Sequence, residues 1–315
     1  MPLPSDEKVV QLANEIVKVF EVLSGSHPGY RPAHAKGILL KGIFTPTRKA
    51  ASLTRAPHIQ RASTPVVVRF SDGSGLPMIP DNDPNASPKG CAIRFYMAEH
   101  VHTDIVSHST DGFLAKDGPE FLEFLRALAA GTVPAFLANH PAALAFVQAP
   151  KPSPASFATE TFFGVSAFRF INREGVARYG RYRIVPQAGL QHLDAETAKS
   201  KGANYLFDEI KERVARNPIR LDIRVQVAEE GDAVNDSTVH WPDSRSVIPL
   251  GMVALTELAP DDEAHQKIIF DPIPRVEGIE PSDDPLLELR AAVYLLTGRH
   301  RRQAIDAHAS VSVPA

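Results

Sequence analysis

The sequence predicts an α+β fold in which an antiparallel β-barrel is flanked by helices. Many short strand-like segments and a smaller number of helical segments, the latter mainly towards the ends, indicate this class. No internal repeat or low-complexity block interrupts them. A chain of 315 residues, 43% of them hydrophobic, can bury one large core or two domains. We expect one domain over residues 1–315.

The individual elements follow from hydrophobic spacing, capping residues and turn residues. A helix is predicted over residues 5–24, because apolar side chains recur at helical spacing up to Gly25. Another begins at Asp117, which caps a first turn containing proline, and further helices are predicted over residues 132–148 and 204–216. Segments rich in Val, Ile and Phe predict the strands: residues 36–44, 65–70, 90–96, 168–172, 177–185, 219–228 and 246–258.

Charge, cysteine content and hydropathy exclude several classes of function. The net charge of −3 gives no electrostatic footprint for nucleic acid or for an anionic membrane. Cys91 is the single cysteine, so the chain cannot form an intramolecular disulfide, and it fits a reducing compartment. No secretory signal is visible, and no apolar run approaches the ~20 residues that a membrane span needs. We therefore expect a cytoplasmic protein.

The most informative segment lies near the C-terminus, in a helix predicted over residues 283–298. Arg290 precedes Tyr294 by one helical turn, so the guanidinium can lie beside the phenol oxygen. A fixed positive charge there favours the phenolate, a hard anionic ligand suited to ferric iron, and tyrosine is the axial haem ligand of catalase. By itself, the same spacing also fits an ordinary amphipathic helix.

Two further motifs support this interpretation. They are Arg31-Pro-Ala-His34-Ala-Lys36-Gly37 and Pro65-Val-Val-Val-Arg69-Phe70-Ser71. With the helix of Tyr294, they resemble the haem-dependent catalases, which carry R-x-x-H-A-K-G, V-R-F-S and R-x-x-x-Y-x-x-T-x-R-H-R in this order. The segment Phe270–Ser282 is similar to the loop that leads into the last of these. The resemblance extends from about residue 25 to about residue 305 and identifies a small, catalase-related member of the superfamily.

The resemblance implies both a fold and a cofactor. Catalases hold haem between the wall of an eight-stranded antiparallel β-barrel and the helix that carries the axial tyrosine. By this resemblance, the barrel occupies about residues 30–260 and the cofactor is haem, which we expect to be haem b. Tyr294 is then the axial ligand of the haem iron, and Arg290 keeps the tyrosinate anionic.

The resemblance also assigns side chains around the haem. His34 matches the distal histidine, and Ser71 matches the serine that orients it. A histidine that titrates near neutral pH can take a proton from peroxide and return it to the departing oxygen. Phe121 matches the aromatic ring over the distal haem face. The haem propionates need cationic partners, for which the arginine fork is suited, and the matching residues are Arg31, Arg69 and Arg301.

Ordinary structural roles compete with these assignments. A strand-edge histidine, a strand-end serine, an outward solvated arginine and a core phenylalanine would account, in that order, for His34, Ser71, Arg69 and Phe121. The basic run Arg299–Arg302 would stabilise a helix C-terminus just past Gly298. From this run, only Arg301 is therefore assigned to the haem.

Some positions depart from the catalase pattern. His108 stands where catalases have the asparagine that helps to hold and polarise peroxide, and we include it among the catalytic candidates because it can also donate a hydrogen bond. Ser166 stands where catalases usually place a proximal-side histidine. The predicted helix has Leu295, Leu296 and Gly298 where catalases have Pro, Asp and His.

These departures favour peroxidase activity over catalase activity. Dismutation requires a second hydrogen peroxide to react efficiently, which depends on fine distal geometry. A peroxidase needs only an organic electron donor near the haem edge. We therefore expect a haem peroxidase that reduces hydrogen peroxide or organic hydroperoxides with a small organic donor, with residual catalase activity, and that acts in oxidative stress.

Other functions stay open on the sequence alone. A dehydratase or isomerase of fatty-acid hydroperoxides, and a catalase that dismutates hydrogen peroxide, would use the same haem site. A non-enzymatic haem carrier is disfavoured, because carriage needs no peroxide base such as His34 with Ser71. Peroxide and the donor are the expected partners, without nucleic acid or membrane, and a dimer is the expected homo-oligomer.

Overall fold

The computed structural model describes residues 2–311, which form twelve strands and eight helices. The strands are β1 (Gly37–Pro46), β2 (Thr64–Ser71), β3 (Gly90–Ala98), β4 (Val101–His108), β5 (Ser153–Pro154), β6 (Phe162–Phe163), β7 (Phe168–Ile171), β8 (Ala177–Pro186), β9 (His192–Leu193), β10 (Ile219–Val227), β11 (Val247–Leu258) and β12 (Ile279–Pro281). The helices are α1 (Glu7–Ser24), α2 (Gly118–Ala130), α3 (Val133–Asn139), α4 (Pro141–Gln148), α5 (Ala195–Ser200), α6 (Tyr205–Arg216), α7 (Glu263–Gln266) and α8 (Pro285–Val311).

Eight of the strands close into an antiparallel barrel. Neighbouring strands follow the order β10-β11-β1-β2-β3-β4-β6-β8, and β8 pairs with β10 to complete the ring. Side chains alternate between the two faces of each strand, so on β2 Val66, Val68 and Phe70 enter the barrel core. Arg69 and Ser71 consequently face outward. The predicted α+β barrel fold is confirmed.

Three helices cover this outward face and form a second apolar core. α1 packs against both α2 and α8. The buried residues of this core share one face of each helix: Ala13, Ile16, Leu122, Leu125, Leu286, Leu289 and Ala292. Among residues 2–311, no helix combines the length and the apolar character that crossing a lipid bilayer would require.

The structure corrects three sequence predictions of secondary structure. β4 was not predicted as a strand, because polar residues interrupt its apolar pattern. The helix predicted over residues 132–148 is two helices, since Pro141 cannot continue the first one. The helix predicted over residues 283–298 extends to Val311, so Gly298 lies within it. A Cβ at Gly298 would lie 2.3 Å from Ile269 Cδ1, so the glycine permits close packing and does not end the helix.

Candidate haem-binding site

A row of paired strand residues forms one wall of the candidate site. The sheet register pairs Ser71 of β2 with Gly90 of β3, and Gly90 with His108 of β4. His34 lies in the loop just before β1, and its Nδ1 is 3.0 Å from the Ser71 Oγ. The barrel register therefore brings together His34, Ser71 and His108, which lie far apart in the sequence.

The backbone around His34 is shaped to hold this pair. His34 has φ = 57°, in the left-handed region that non-glycine residues rarely occupy. A Cβ at Gly90 would lie 2.5 Å from Ser71 Oγ and 2.8 Å from His34 Nδ1, so only glycine leaves room there. Strained backbone of this kind concentrates at functional sites. A strand-edge histidine without a special role would not need either feature.

A cavity of about 250 Å³ separates this wall from α8. Apolar side chains from α1, α2 and α8 form much of its remaining surface, including Phe20, Phe121 and Leu289. All nine site residues predicted from the sequence line this one cavity: Arg31, His34, Arg69, Ser71, His108, Phe121, Arg290, Tyr294 and Arg301.

The α8 wall carries the phenol. Arg290 and Tyr294 lie one turn apart on the helix, and Arg301 follows two turns later on the same face. Arg290 Nη2 donates to Tyr294 Oη over 3.4 Å, and its Nη1 donates to Ser166 Oγ over 3.4 Å. The arginine is thus fixed between a serine of the barrel side and the phenol that it accompanies.

Three arginines meet at one edge of the cavity without a counter-ion: Arg69 and Arg301 are buried and Arg31 is half-buried. Arg31 and Arg301 donate to the backbone carbonyl of Ile268, and Arg69 donates to the carbonyl of His34. Within residues 2–311, none of the three forms an ion pair. Burial, reinforced by the charge of Arg301, lowers the pKa of Arg69 to about 9, and burial together with Arg302 lowers that of Arg301 to about 10. This edge therefore favours a ligand with more than one negative charge.

Both histidines of the distal wall are neutral near pH 7. Burial lowers the pKa of His34 to about 4, with a further contribution from Arg69. Burial, then Arg290, lowers the pKa of His108 to about 3. The Thr110 backbone N–H donates to His108 Nδ1 over 3.4 Å, and the Thr110 hydroxyl lies 2.7 Å from the same nitrogen. These two contacts favour the tautomer that carries the ring proton on Nε2. His108 can therefore donate a hydrogen bond, as the asparagine amide of catalases does.

These groups fit an iron porphyrin. No cluster of three or more His, Cys, Asp or Glu side chains within residues 2–311 could chelate a metal ion by itself. The cavity instead offers a single phenol oxygen, apolar walls and the unpaired arginines Arg31, Arg69 and Arg301. One axial ligand, a hydrophobic ring and two carboxylates are the chemical complement of that set.

Sequence reasoning missed several residues of the cavity. Ile16 and Phe20 of α1 line it, although their helical spacing predicted only packing. Gly90 carried no signal, since its role depends on the register with Ser71.

Known proteins are similar to this chain over the whole segment that contains the predicted site residues. The family model described as Catalase matches residues 28–313. A catalase-related peroxidase of Mycolicibacterium paratuberculosis is 39% identical over 86% of this chain and 88% of its own length. Another, of Synechococcus elongatus, is 30% identical over 93% of this chain and 89% of its own length. A crystal structure of a fungal catalase has the same fold, with a TM-score of 0.78 and 22% identity over 88% of this chain and 60% of that one.

Proposed function

Because the chain belongs to the catalase family, we propose that it is a haem peroxidase that uses a small organic electron donor. Membership makes it a haem-dependent oxidoreductase that acts on peroxide. The proposed reaction is ROOH + 2 AH → ROH + H₂O + 2 A•, in which two donor molecules supply two electrons and two protons. The observation that carries it is the placement of His34 with Ser71 and of Tyr294 with Arg290 on opposite walls of one cavity.

Each side chain has a defined task in this proposal. Bound haem would supply the redox chemistry that peroxide reduction needs. Tyr294 would ligate its iron, and the guanidinium of Arg290 favours the anionic phenolate. Ser71 holds Nδ1 of His34, so Nε2 of the neutral imidazole can accept the peroxide proton and then pass it to the departing oxygen. The Nε2 proton of His108 is available to hold the peroxide.

The low pKa of His34 predicts the acid limit of the reaction. The proton acceptor is the neutral imidazole, which exists above a pKa of about 4 in the folded chain. We expect the second-order rate constant with peroxide to stay constant as the pH falls from about 8 to about 5, and to decrease below that. Stopped-flow absorption after a pH jump measures it. A midpoint near the ordinary histidine value of about 6.5 would show that the pKa of His34 is not lowered by its surroundings.

Substitution of His108 tests why peroxidase activity should dominate. His108→Asn restores the amide of catalases, so we expect oxygen evolution to rise several-fold relative to donor oxidation. An oxygen electrode and a dye donor measure the two activities on one preparation. His108→Ala removes the hydrogen-bond donor and should lower both activities. Equal ratios in the unmodified chain and in His108→Asn would show that this residue does not set the balance.

A fatty-acid hydroperoxide distinguishes the proposal from its rivals. A peroxidase converts it to the alcohol and consumes the donor in a 1:2 ratio, whereas a dehydratase or isomerase rearranges it and consumes none. Product analysis by mass spectrometry, with the donor followed by absorption, separates the two. Oxygen release from hydrogen peroxide that exceeds donor oxidation would indicate a catalase. We also propose that the cofactor is haem b and that the chain forms a homodimer. A pyridine haemochromogen spectrum would test the haem type, and sedimentation would test the oligomeric state.

A further inference from the structure

A second cavity of about 90 Å³ lies behind the arginines of the haem-binding cavity. We call it the edge cavity. The segment between α1 and His34 forms one side, and α8 forms the other. Four residues line both cavities, so the two are separated by a wall one side chain thick: Arg31, Pro32, Thr297 and Arg301. A molecule in the edge cavity would therefore lie next to the arginines that meet the proposed propionates.

The arginines of this wall have more N–H donors than their backbone partners use. Arg31 and Arg301 line both cavities, whereas Arg69 lines only the haem-binding cavity. The two carboxylates of haem would neutralise two of these three cations, and Glu21 would offset the third. A guanidinium has five N–H donors, of which Arg31 uses one and Arg301 uses two on backbone carbonyls. Both arginines thus retain donors for a further anion. Glu21 is the one acidic side chain among the residues that line the edge cavity.

The remaining lining suits a small ring. Tyr30 is 52% exposed and, with Pro28 and Val17, offers apolar surface beside the charged wall. His27 and His300 add hydrogen-bonding groups at the exposed rim. The volume suits one aromatic ring with a short substituent.

We propose that the edge cavity binds the electron donor and that the preferred donor is a small anionic phenol, such as one that carries a carboxylate. The inference rests on the proposed peroxidase function, whose donor it specifies. The carboxylate faces Arg31 and Arg301, and the phenol gives one electron and one proton per turnover step. Two such phenols reduce one hydroperoxide, which yields the alcohol, water and two phenoxyl radicals.

Binding of redox-inert probes tests the site without turnover. Isothermal titration calorimetry on the haem-loaded protein compares benzoate with benzamide, which has nearly the same shape and no charge. Benzoate should bind about tenfold more tightly or better. Ser26→Asp adds a negative charge to the lining and should weaken benzoate binding about fivefold, whereas Ser26→Asn adds similar bulk and should weaken it less.

Removal of a negative charge from the lining tests the opposite effect on benzoate binding. Glu21→Gln should tighten benzoate binding about fivefold, whereas Glu99→Gln, a remote exposed substitution with the same charge change, should leave it as in the unmodified chain. The KM for 4-hydroxybenzoate as donor should follow the same order, and the KM for 4-hydroxybenzamide should not.

The outcomes separate this inference from the proposed function. If peroxide changes the haem spectrum but benzoate shows no preference over benzamide, the edge cavity is not an anionic donor site. The same conclusion follows if benzoate binding ignores Ser26→Asp and Glu21→Gln. If peroxide leaves the haem spectrum unchanged, the proposed peroxidase function fails, whatever the calorimetry shows.

Discussion

Tyr294→Phe should yield a protein that no longer retains haem, even when it is produced with ample haem supply. The substitution keeps the ring on α8 and removes only Oη, the oxygen beside Arg290. Loss of groups that merely support a metal ligand typically costs 10–100-fold in affinity, so loss of the ligand itself should cost more than about 100-fold. The haem-to-protein ratio from pyridine haemochromogen absorption measures the effect.

Two further variants show whether the loss of haem is specific to the Tyr294 oxygen. Tyr182→Phe removes the hydroxyl of a buried tyrosine that does not line the cavity, so haem should be retained. Arg290→Met keeps the phenol but removes the charge that favours its anion, so haem should bind less tightly and with a shifted spectrum. An unchanged pigment and spectrum in Tyr294→Phe would refute the axial role of this residue.

The sequence predicted the composition of the site better than its geometry. The spacing of Arg290 and Tyr294 is local, so helical periodicity alone placed them on one face. The meeting of Arg31, Arg69 and Arg301 is not local, because it depends on the register of the barrel and on the path of the loop before α8. Only the resemblance to catalases could bring these three together before the structure did.

The structure also bears on the ordinary structural roles that the sequence left open for these residues. Arg69 is 7% exposed and forms no ion pair within residues 2–311, so it is not an outward solvated arginine. Phe121 lines the cavity and also packs against Phe20 and Phe113 at centroid distances of 6.3 Å and 5.3 Å, so its position over the haem face stays a prediction beside its packing role. The idea that the basic run neutralises a helix terminus past Gly298 is wrong, because α8 continues.

Other features escaped prediction for physical reasons. β4 carries His102, Thr103 and Asp104, whose polarity hides its strand character, yet Asp104 is buried in an ion pair with Arg94. Asp104 Oδ2 also accepts a hydrogen bond from the backbone N–H of Asp271. This bond anchors the loop before α8, in which the carbonyl of Ile268 accepts from Arg31 and Arg301. The hydrogen bond between Asp271 and Asp104 joins residues that lie far apart in the sequence, so no periodic pattern of residues could predict it.

His34→Ala should leave the haem bound and its resting spectrum nearly unchanged, but should slow the reaction with peroxide about 10²- to 10⁴-fold. This range is the usual contribution of a positioned general acid–base group. The slowing arises because the imidazole beside Ser71 is no longer present to accept the peroxide proton, and stopped-flow absorption at pH 7 measures it.

A graded series separates this proton transfer from a loss of cavity structure. Ser71→Ala removes the hydroxyl that lies 3.0 Å from His34 Nδ1, so it should give a smaller loss than His34→Ala. The residual reaction of His34→Ala should also lose the acid limit near a pKa of about 4, because the titrating group is gone. In a haem carrier, neither variant would alter the response to peroxide. A full rate in His34→Ala, with haem bound, would therefore overturn the catalytic assignment and leave only the binding site that Tyr294 defines.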